Sequence, residues 1–439
     1  MKPRRHDPAK RSRRSWYFYD FGNSAYASVI LLAVFSAYFK NVVVGGAEGT
    51  RLWGVAVGIA AVVVAIASPI LGTIADYVRS KKTFLILFTA LSVVFTAMLF
   101  FVRKGDVATG MIFFILAEIG YRAAQVFYDA LLTSVSTPEN IGSVSGKGWA
   151  IGMLGGIAAL LVVLVPIQLV GNSVIPYAYL ITAVFYLASS IPMFLWVKEV
   201  HADQPERTEG SLIRTAFDRL AHTFRSIRSY REFIKYTVAF LIYNDGIMML
   251  MDFAAIIGAT LFGMNQIQLI LFVIVIQISG AAGALLFGKI SDRLSGKESV
   301  TIALIILIAC ITGLLFANSL AWFFVIGFFA GFSLSGAQAV SRSMVSQLAP
   351  AEKTTEFYGF LSVAGRTSTF VGPLVFGTIS YRMHNWYANH GVDAVLSEQY
   401  GLLWAIGSIL LFLVVGLLLL LLVKRVTARE PIQYETNRD

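Results

Sequence analysis

Long apolar runs separated by short polar breaks recur along the whole chain. A helix needs about 20 predominantly apolar residues to cross the hydrocarbon core of a bilayer. The chain offers twelve such runs: roughly 16–39, 52–74, 83–102, 107–135, 148–170 and 174–197, then 233–260, 266–288, 299–317, 320–348, 357–380 and 401–423. The longest polar break, 198–232, divides them six and six. The pattern predicts an all-α integral membrane protein with two six-helix bundles, 16–197 and 233–423, between a basic tail at 1–15 and a second tail at 424–439. Within the central break, Ile213, Phe217, Leu220, Phe224 and Ile227 recur at steps of four and three, opposite Arg214, Arg219, Arg225 and Arg228. That spacing predicts an amphipathic linker helix lying on the inner leaflet.

The polar breaks carry a repeat. GTIADYVRSKK, from Gly72, is echoed by GKISDRLSGK, from Gly288, so that Gly72 and Asp76 correspond to Gly288 and Asp292 at one fixed displacement. YDALLTSVSTPENIGSVSGKGWAIG, from Tyr128, parallels VSRSMVSQLAPAEKTTEFYGFLSVAG, from Val340. The chain reads as one six-helix unit built twice, an arrangement suited to alternating access.

Composition narrows the class. With 57% hydrophobic and 14% charged residues, the chain has too few polar side chains to coat a soluble globule. The net charge of +10 would suit nucleic acid only if the basic residues shared an exposed face. They fall instead between apolar runs and mostly on one side: the predicted outer loops hold only Lys40, Arg51, Arg103, Lys104 and Arg382. The positive-inside rule then places both termini in the cytoplasm, with the first run an uncleaved span. A single cysteine, Cys310, excludes an intrachain disulfide, and all five histidines fall outside the predicted spans. No metal site, cofactor, catalytic constellation or obligate protein partner is expected. GSVSGKG, from Gly142, approaches a phosphate-binding loop but has one spacer too few, and Gly148 where Ser or Thr must hold magnesium. Trp16, Tyr17, Tyr19 and Trp196 are expected to be interfacial anchors. The outer segment from Arg382 to Tyr400 is the only sizeable exterior loop expected.

Charges inside a bilayer are costly unless paired or hydrated, so each is a candidate for function. Glu118, Arg122, Gln125 and Asp129 stand at steps of four, three and four, one stripe of the fourth span. Rise per residue puts Glu118 and Arg122 near mid-membrane, with Asn244, Asp245 and Arg366 at similar depth. A guanidinium suits a carboxylate and a carboxylate suits an ammonium, so a zwitterion such as an amino acid would satisfy both. The plainer alternative is that Glu118–Arg122 is a structural ion pair. Asn23, Ser24, Tyr26 and Asn244 offer neutral groups for substrate contact or for helix–helix hydrogen bonds. If protons drive transport, a carboxylate must carry them, and Glu118, Asp129 and Asp245 are the candidates. Gly148, Gly152, Gly155 and Gly156 are expected to permit close helix packing, as are Gly359, Gly365, Gly372 and Gly377, with Pro373 allowing a kink.

The two hairpin motifs and the twelve-span layout resemble the major facilitator superfamily over nearly the whole chain. YDFGNSAYASV at Tyr19, VFYDALL at Val126, SGKGWAIGMLGG at Ser145, YNDGIMM at Tyr243 and the series running SRSMVSQLAP, EFYGF, FVGPLVFG are similar to one branch. That branch holds the fungal autophagy-related vacuolar amino acid effluxers and bacterial relatives of uncharacterised substrate. The resemblance implies the major facilitator fold and secondary active transport of a small polar solute, an amino acid or related zwitterion or organic anion. It also implies a bacterial inner membrane location. The alternative within the same fold is a lipid or lysophospholipid flippase. It further implies that Gly72, Asp76, Gly288, Asp292 and Arg293 belong to an inward gate, with Arg342 and Arg366 as possible partners.

Overall fold

In the computed structural model, which describes residues 8–77, 80–136, 141–199, 230–348, 357, 360–361, 365 and 369–425, the described residues form helices and no strand. The principal helices are α1 (Pro8–Ala25), α2 (Gly46–Tyr77), α3 (Lys81–Met98), α4 (Val107–Ala130), α5 (Ile141–Val170) and α6 (Ile175–Trp196). They are followed by α7 (Arg231–Phe262), α8 (Gln266–Arg293), α9 (Gly296–Leu314), α10 (Leu320–Leu348), α11 (Val371–Asn389) and α12 (Ala394–Leu421). Eleven described helical stretches are long and apolar enough to cross a membrane.

The first span, Lys10–Val44, is longer than its apolar run because α1 begins in the basic tail. Beyond α1 the chain widens into π-helix at Tyr26–Ala33 and again at Phe39–Val44. Val34 N donates to Val29 O at 2.8 Å and Gly45 N to Lys40 O at 2.9 Å, the five-residue step of a π turn. Side-chain patterns do not signal such widening, so the sequence reads there as plain α-helix.

The helix ends follow ordinary capping chemistry. Ser295 Oγ accepts from Glu298 N ahead of α9, and Asp393 Oδ1 accepts from Val395 N ahead of α12. α7 stops at Gly263, whose φ of +61° is left-handed and whose successor Met264 bonds back to Gly258 O.

α11 departs from expectation at its far end. The helix runs on to Asn389 and takes Arg382 and His384 with it, so the loop expected on the exterior shrinks to His390–Asp393. Its early part, predicted at 357–370, falls largely outside the described residues. Pro373 stands in the first turn of α11, where a missing N–H leaves no ladder bond broken, so it needs no kink there. The linker helix predicted within 198–232 also lies almost wholly outside the described residues. Gly142–Gly148 is helical within α5, which rules out a phosphate loop there.

Close contacts separate two compact units, drawn from Met1–Gly49, Ile59–Ala216 and Asn265–Ile270, and from Thr50–Gly58, Phe217–Met264 and Leu271–Asp439. In the first, α1 packs on α5 and α6, and α3 on α4 and α6. Gly148, Gly152 and Gly155 make that closeness possible: a Cβ on them would meet the Trp16 ring, the Asp20 carboxylate and the Phe21 main chain respectively. In the second unit, α12 packs on α7, α9 and α11. The short segment of α2 grouped with it donates Trp53 Nε1 to Asp252 O at 2.8 Å and lays Arg51 over the Tyr381 ring. Gly54 and Gly58 admit Pro373 O and the Leu374 side chain.

The aromatic anchors need correction. Trp16 is 3% exposed and Tyr19 fully buried, so both belong to the core of the first unit and not to a membrane interface. Trp16 stacks on Tyr128 with centroids 4.4 Å apart and donates Nε1–H to Tyr128 O at 3.1 Å. Tyr19 OH bonds Thr89 Oγ1 at 2.7 Å and Tyr186 OH at 2.9 Å. A start-of-helix Trp-Tyr pair looks alike in either role from sequence, because both place amphipathic rings at a span end. Trp196, 39% exposed beneath the Arg11 guanidinium, is at a surface.

Candidate functional site

Two groups of buried polar side chains stand out, one in each unit. In the first unit, Arg122 Nε donates to Glu118 Oε1 one turn earlier on α4. Glu118 is fully buried and the Arg122 side chain 19% exposed. The expected stripe is graded: Gln125 is half-buried and Asp129 exposed. Glu118 Oε2, the second carboxylate oxygen, makes no hydrogen bond. Tyr26 is buried beside Glu118 and Arg122, with its ring stacked on Tyr121 at 4.7 Å. Its hydroxyl lies beside the Glu118 carboxylate. Asn23, one turn before Tyr26 on the same face, is 1% exposed, and its Nδ2 is also unbonded.

An unbonded buried polar atom costs about 1–3 kcal/mol. Asn23 Nδ2 and Glu118 Oε2 are two such atoms in the first unit, on α1 and α4. Tyr26 opens the π-helical stretch, a deviation that recurs at functional positions.

In the second unit, Gln338 Nε2 donates to Asn244 Oδ1 at 2.8 Å. One residue further, Asp245 is 4% exposed, and its Oδ1 makes no hydrogen bond. The Gly372 amide at the start of α11 lies against its carboxylate. Ser341 Oγ donates to Ala337 O at 2.6 Å, so Tyr243 OH donates to that Oγ at 2.7 Å, while Tyr236 OH takes Ser341 O at 2.5 Å. Asp252, expected toward the exterior, is buried at 5%.

Among the residues singled out from sequence, Glu118, Arg122 and Tyr26 come together, with Asn23 adjoining on α1. Asn244 and Asp245 lie in the other unit. Arg366 and the side chains of Asp76, Asp292 and Arg342 lie outside the described residues. Arg293 is exposed at the end of α8, and a Cβ on Gly72 or Gly288 would meet nothing within 4 Å. Sequence reasoning missed Tyr121 and Gln338. Tyr121 lies three residues after Glu118, a spacing that could have flagged it. Gln338, an amide in an apolar run, carried a weaker signal of the same kind.

The family model described as "Vacuole effluxer Atg22 like" matches residues 53–141 and 133–430. The chain is 28% identical over 440 residues to an uncharacterised MFS-type transporter, YxiO, of Bacillus subtilis, covering 97% of this chain and 98% of that protein. It is 23% identical to autophagy-related protein 22 of Yarrowia lipolytica, over 61% of this chain and 50% of that one. Among solved structures, a bacterial homologue of the human lysosomal transporter Spinster aligns with a TM-score of 0.69 at 12% identity, covering 96% of this chain and 97% of that one. The nucleoside transporter NupG also aligns at 0.69, with 13% identity over 94% of this chain and all of that one. At these identities the two structures establish the major facilitator fold.

Proposed function

The chain belongs to the vacuole effluxer Atg22-like family of major facilitator transporters, and from that premise we propose that it carries an amino acid or a closely related zwitterion. The observation supporting this most directly is the Glu118–Arg122 pair with Tyr26 buried beside it, and Asn23 one turn before Tyr26. Carboxylate and guanidinium are neighbours on one helix, so an ammonium and a carboxylate on one small molecule would find opposite charges within a single turn. A sugar would use the neutral groups and leave both charges as they are.

In this reading transport is secondary and proceeds by alternating access across the cell's inner membrane with both termini cytoplasmic. The duplicated hairpins at Gly72–Asp76 and Gly288–Asp292, with Arg293 and Arg342, form the gate. Asn244, Asp245 and Arg366 are the substrate-binding candidates of the second half. A proton gradient drives the cycle through Glu118, Asp129 or Asp245. The test is a thermal-shift screen of purified protein against amino acids, organic acids, sugars and lysophospholipids, repeated with Arg122→Ala. Stabilisation by amino acids that Arg122→Ala abolishes is expected. Stabilisation by a sugar alone, or by a lysophospholipid alone, would overturn the proposal.

A further inference from the structure

Asp245 is held between opposing influences. The N-terminus of α11 reaches it: Gly372 is the second residue of that helix, and its amide lies against the carboxylate. A Cβ on Gly372 would stand 3.2 Å from Asp245 Oδ1, 3.1 Å from Asp245 O and 2.7 Å from Met249 Cγ. Only a residue without a Cβ brings the main chain this close without displacing a neighbour. First-turn N–H groups have no intrahelical acceptor and form the positive end of the helix dipole, so they favour an ionised carboxylate. Asp245 is otherwise in dry surroundings, and Asp252, also buried, stands two turns along the same face of α7.

Among the described residues, the other elements around it bring no cation. α12 contributes Phe412 and Leu413 against Gly246, and Ser408 against Met249. From α10, Gln338 is taken up by Asn244. Among the described residues the charged group acting on Asp245 is Asp252 alone. The other two carboxylates differ in kind: Glu118 is tied to Arg122 within its own helix, and Asp129 is exposed.

We propose that Asp245 is the proton-carrying group of the transport cycle, with the N-terminus of α11 as the element that sets its charge. When Gly372 N–H lies on the carboxylate the proton is released to water. When α11 withdraws, the carboxylate takes a proton from water, and nothing else is consumed or produced. The proposal rests on the proton-coupled reading above and selects one of its three carboxylates.

The test is a pH titration by infrared difference spectroscopy of the purified full-length protein in lipid nanodiscs. The carbonyl stretch of a buried carboxylic acid should be present at low pH and lost as pH rises. It should be absent in Asp245→Asn, retained in Glu118→Gln, and lost at lower pH in Asp252→Asn, where the repelling charge is gone. Asp245→Glu keeps a titrating carboxyl and guards against misfolding in Asp245→Asn. A band that persists in Asp245→Asn, vanishes in Glu118→Gln, or responds to sodium at fixed pH instead of to pH would overturn the assignment. The readout needs no substrate, so a failed amino acid screen leaves it standing. Amino acid binding together with a band untouched by Asp245→Asn would fell the coupling assignment alone.

Discussion

The Lys297 ammonium, in the first turn of α9, donates to Val423 O at 2.5 Å, just beyond the end of α12. It also reaches Leu421 O at 2.8 Å. The first half repeats the device: Lys82 Nζ, in the first turn of α3, donates to Val197 O at 2.9 Å, just beyond α6. The last carbonyls of a helix lack intrahelical donors and form its negative end, so a cation there satisfies both needs. Glu199 supplies the converse at the other helix end, accepting from Lys81 N at 3.1 Å and Lys82 N at 2.6 Å. In each half, the helix that follows the hairpin is thereby tied to the last helix of that half.

Lys82→Met and Lys297→Met should therefore each lower stability by about 1 kcal/mol, the low end for charge-assisted bonds because both side chains are partly exposed. Thermal unfolding in detergent should register a lower Tm for both variants. A drop in only one would mean that the duplicated clasp is not equivalent in the two halves.

Trp16 and Trp196 should respond very differently to truncation. Trp16 is stacked on Tyr128, hydrogen-bonded to its main chain and seated over Gly148. Removing so large a buried ring should cost about 3–5 kcal/mol. Trp196→Ala, at an exposed position, should cost under about 1 kcal/mol. Equal losses in a denaturation series would return Trp16 to the role of a membrane anchor.

Hydropathy made most of the helices legible, because the bilayer's thickness fixes their length and their backbone must satisfy itself internally. The stripe from Glu118 to Asp129 was legible for a similar reason: helical periodicity alone places those residues on one face. Burial along that stripe was not legible, since Glu118 and Asp129 share a face, yet Glu118 is buried beside Tyr26 and Asp129 is exposed. Periodicity also failed where the backbone leaves the α form at Tyr26–Ala33, and where α11 carries Arg382 and His384 on past the apolar run. The pairing of Asp245 with the Gly372 amide is a contact between distant segments, which no local spacing encodes.

Two kinds of glycine should separate cleanly. A Cβ on Gly155 would fall on Phe21 O, and one on Gly283 on Phe332 O, main-chain atoms that cannot rotate aside. Gly155→Ala and Gly283→Ala should each destabilise by about 1–3 kcal/mol. Gly72→Ala and Gly288→Ala meet nothing within 4 Å and should keep or slightly raise Tm, because a helical alanine costs less entropy than glycine. If the hairpins gate transport, uptake should fall in these two variants while Tm holds. Full uptake in both would remove the hairpin glycines from the gate.

Glu118 and Arg122 offer a sharper test, because their pairing carries both a structural and a functional meaning. Removing one member of a buried ion pair leaves an uncompensated charge and costs about 3–5 kcal/mol, whereas removing both can be nearly neutral. Glu118→Gln and Arg122→Gln should each lower stability substantially, with Arg122→Gln the more damaging because fully buried Glu118 is then left with no cation on its own helix. The double variant should recover much of the loss, giving a coupling free energy within the range of about 0.5–3 kcal/mol found for contacting residues. If the pair were only structural, the double variant would regain transport along with stability. If it holds a zwitterion, the double variant should be folded and inactive, and proteoliposome uptake measured beside Tm separates the two outcomes.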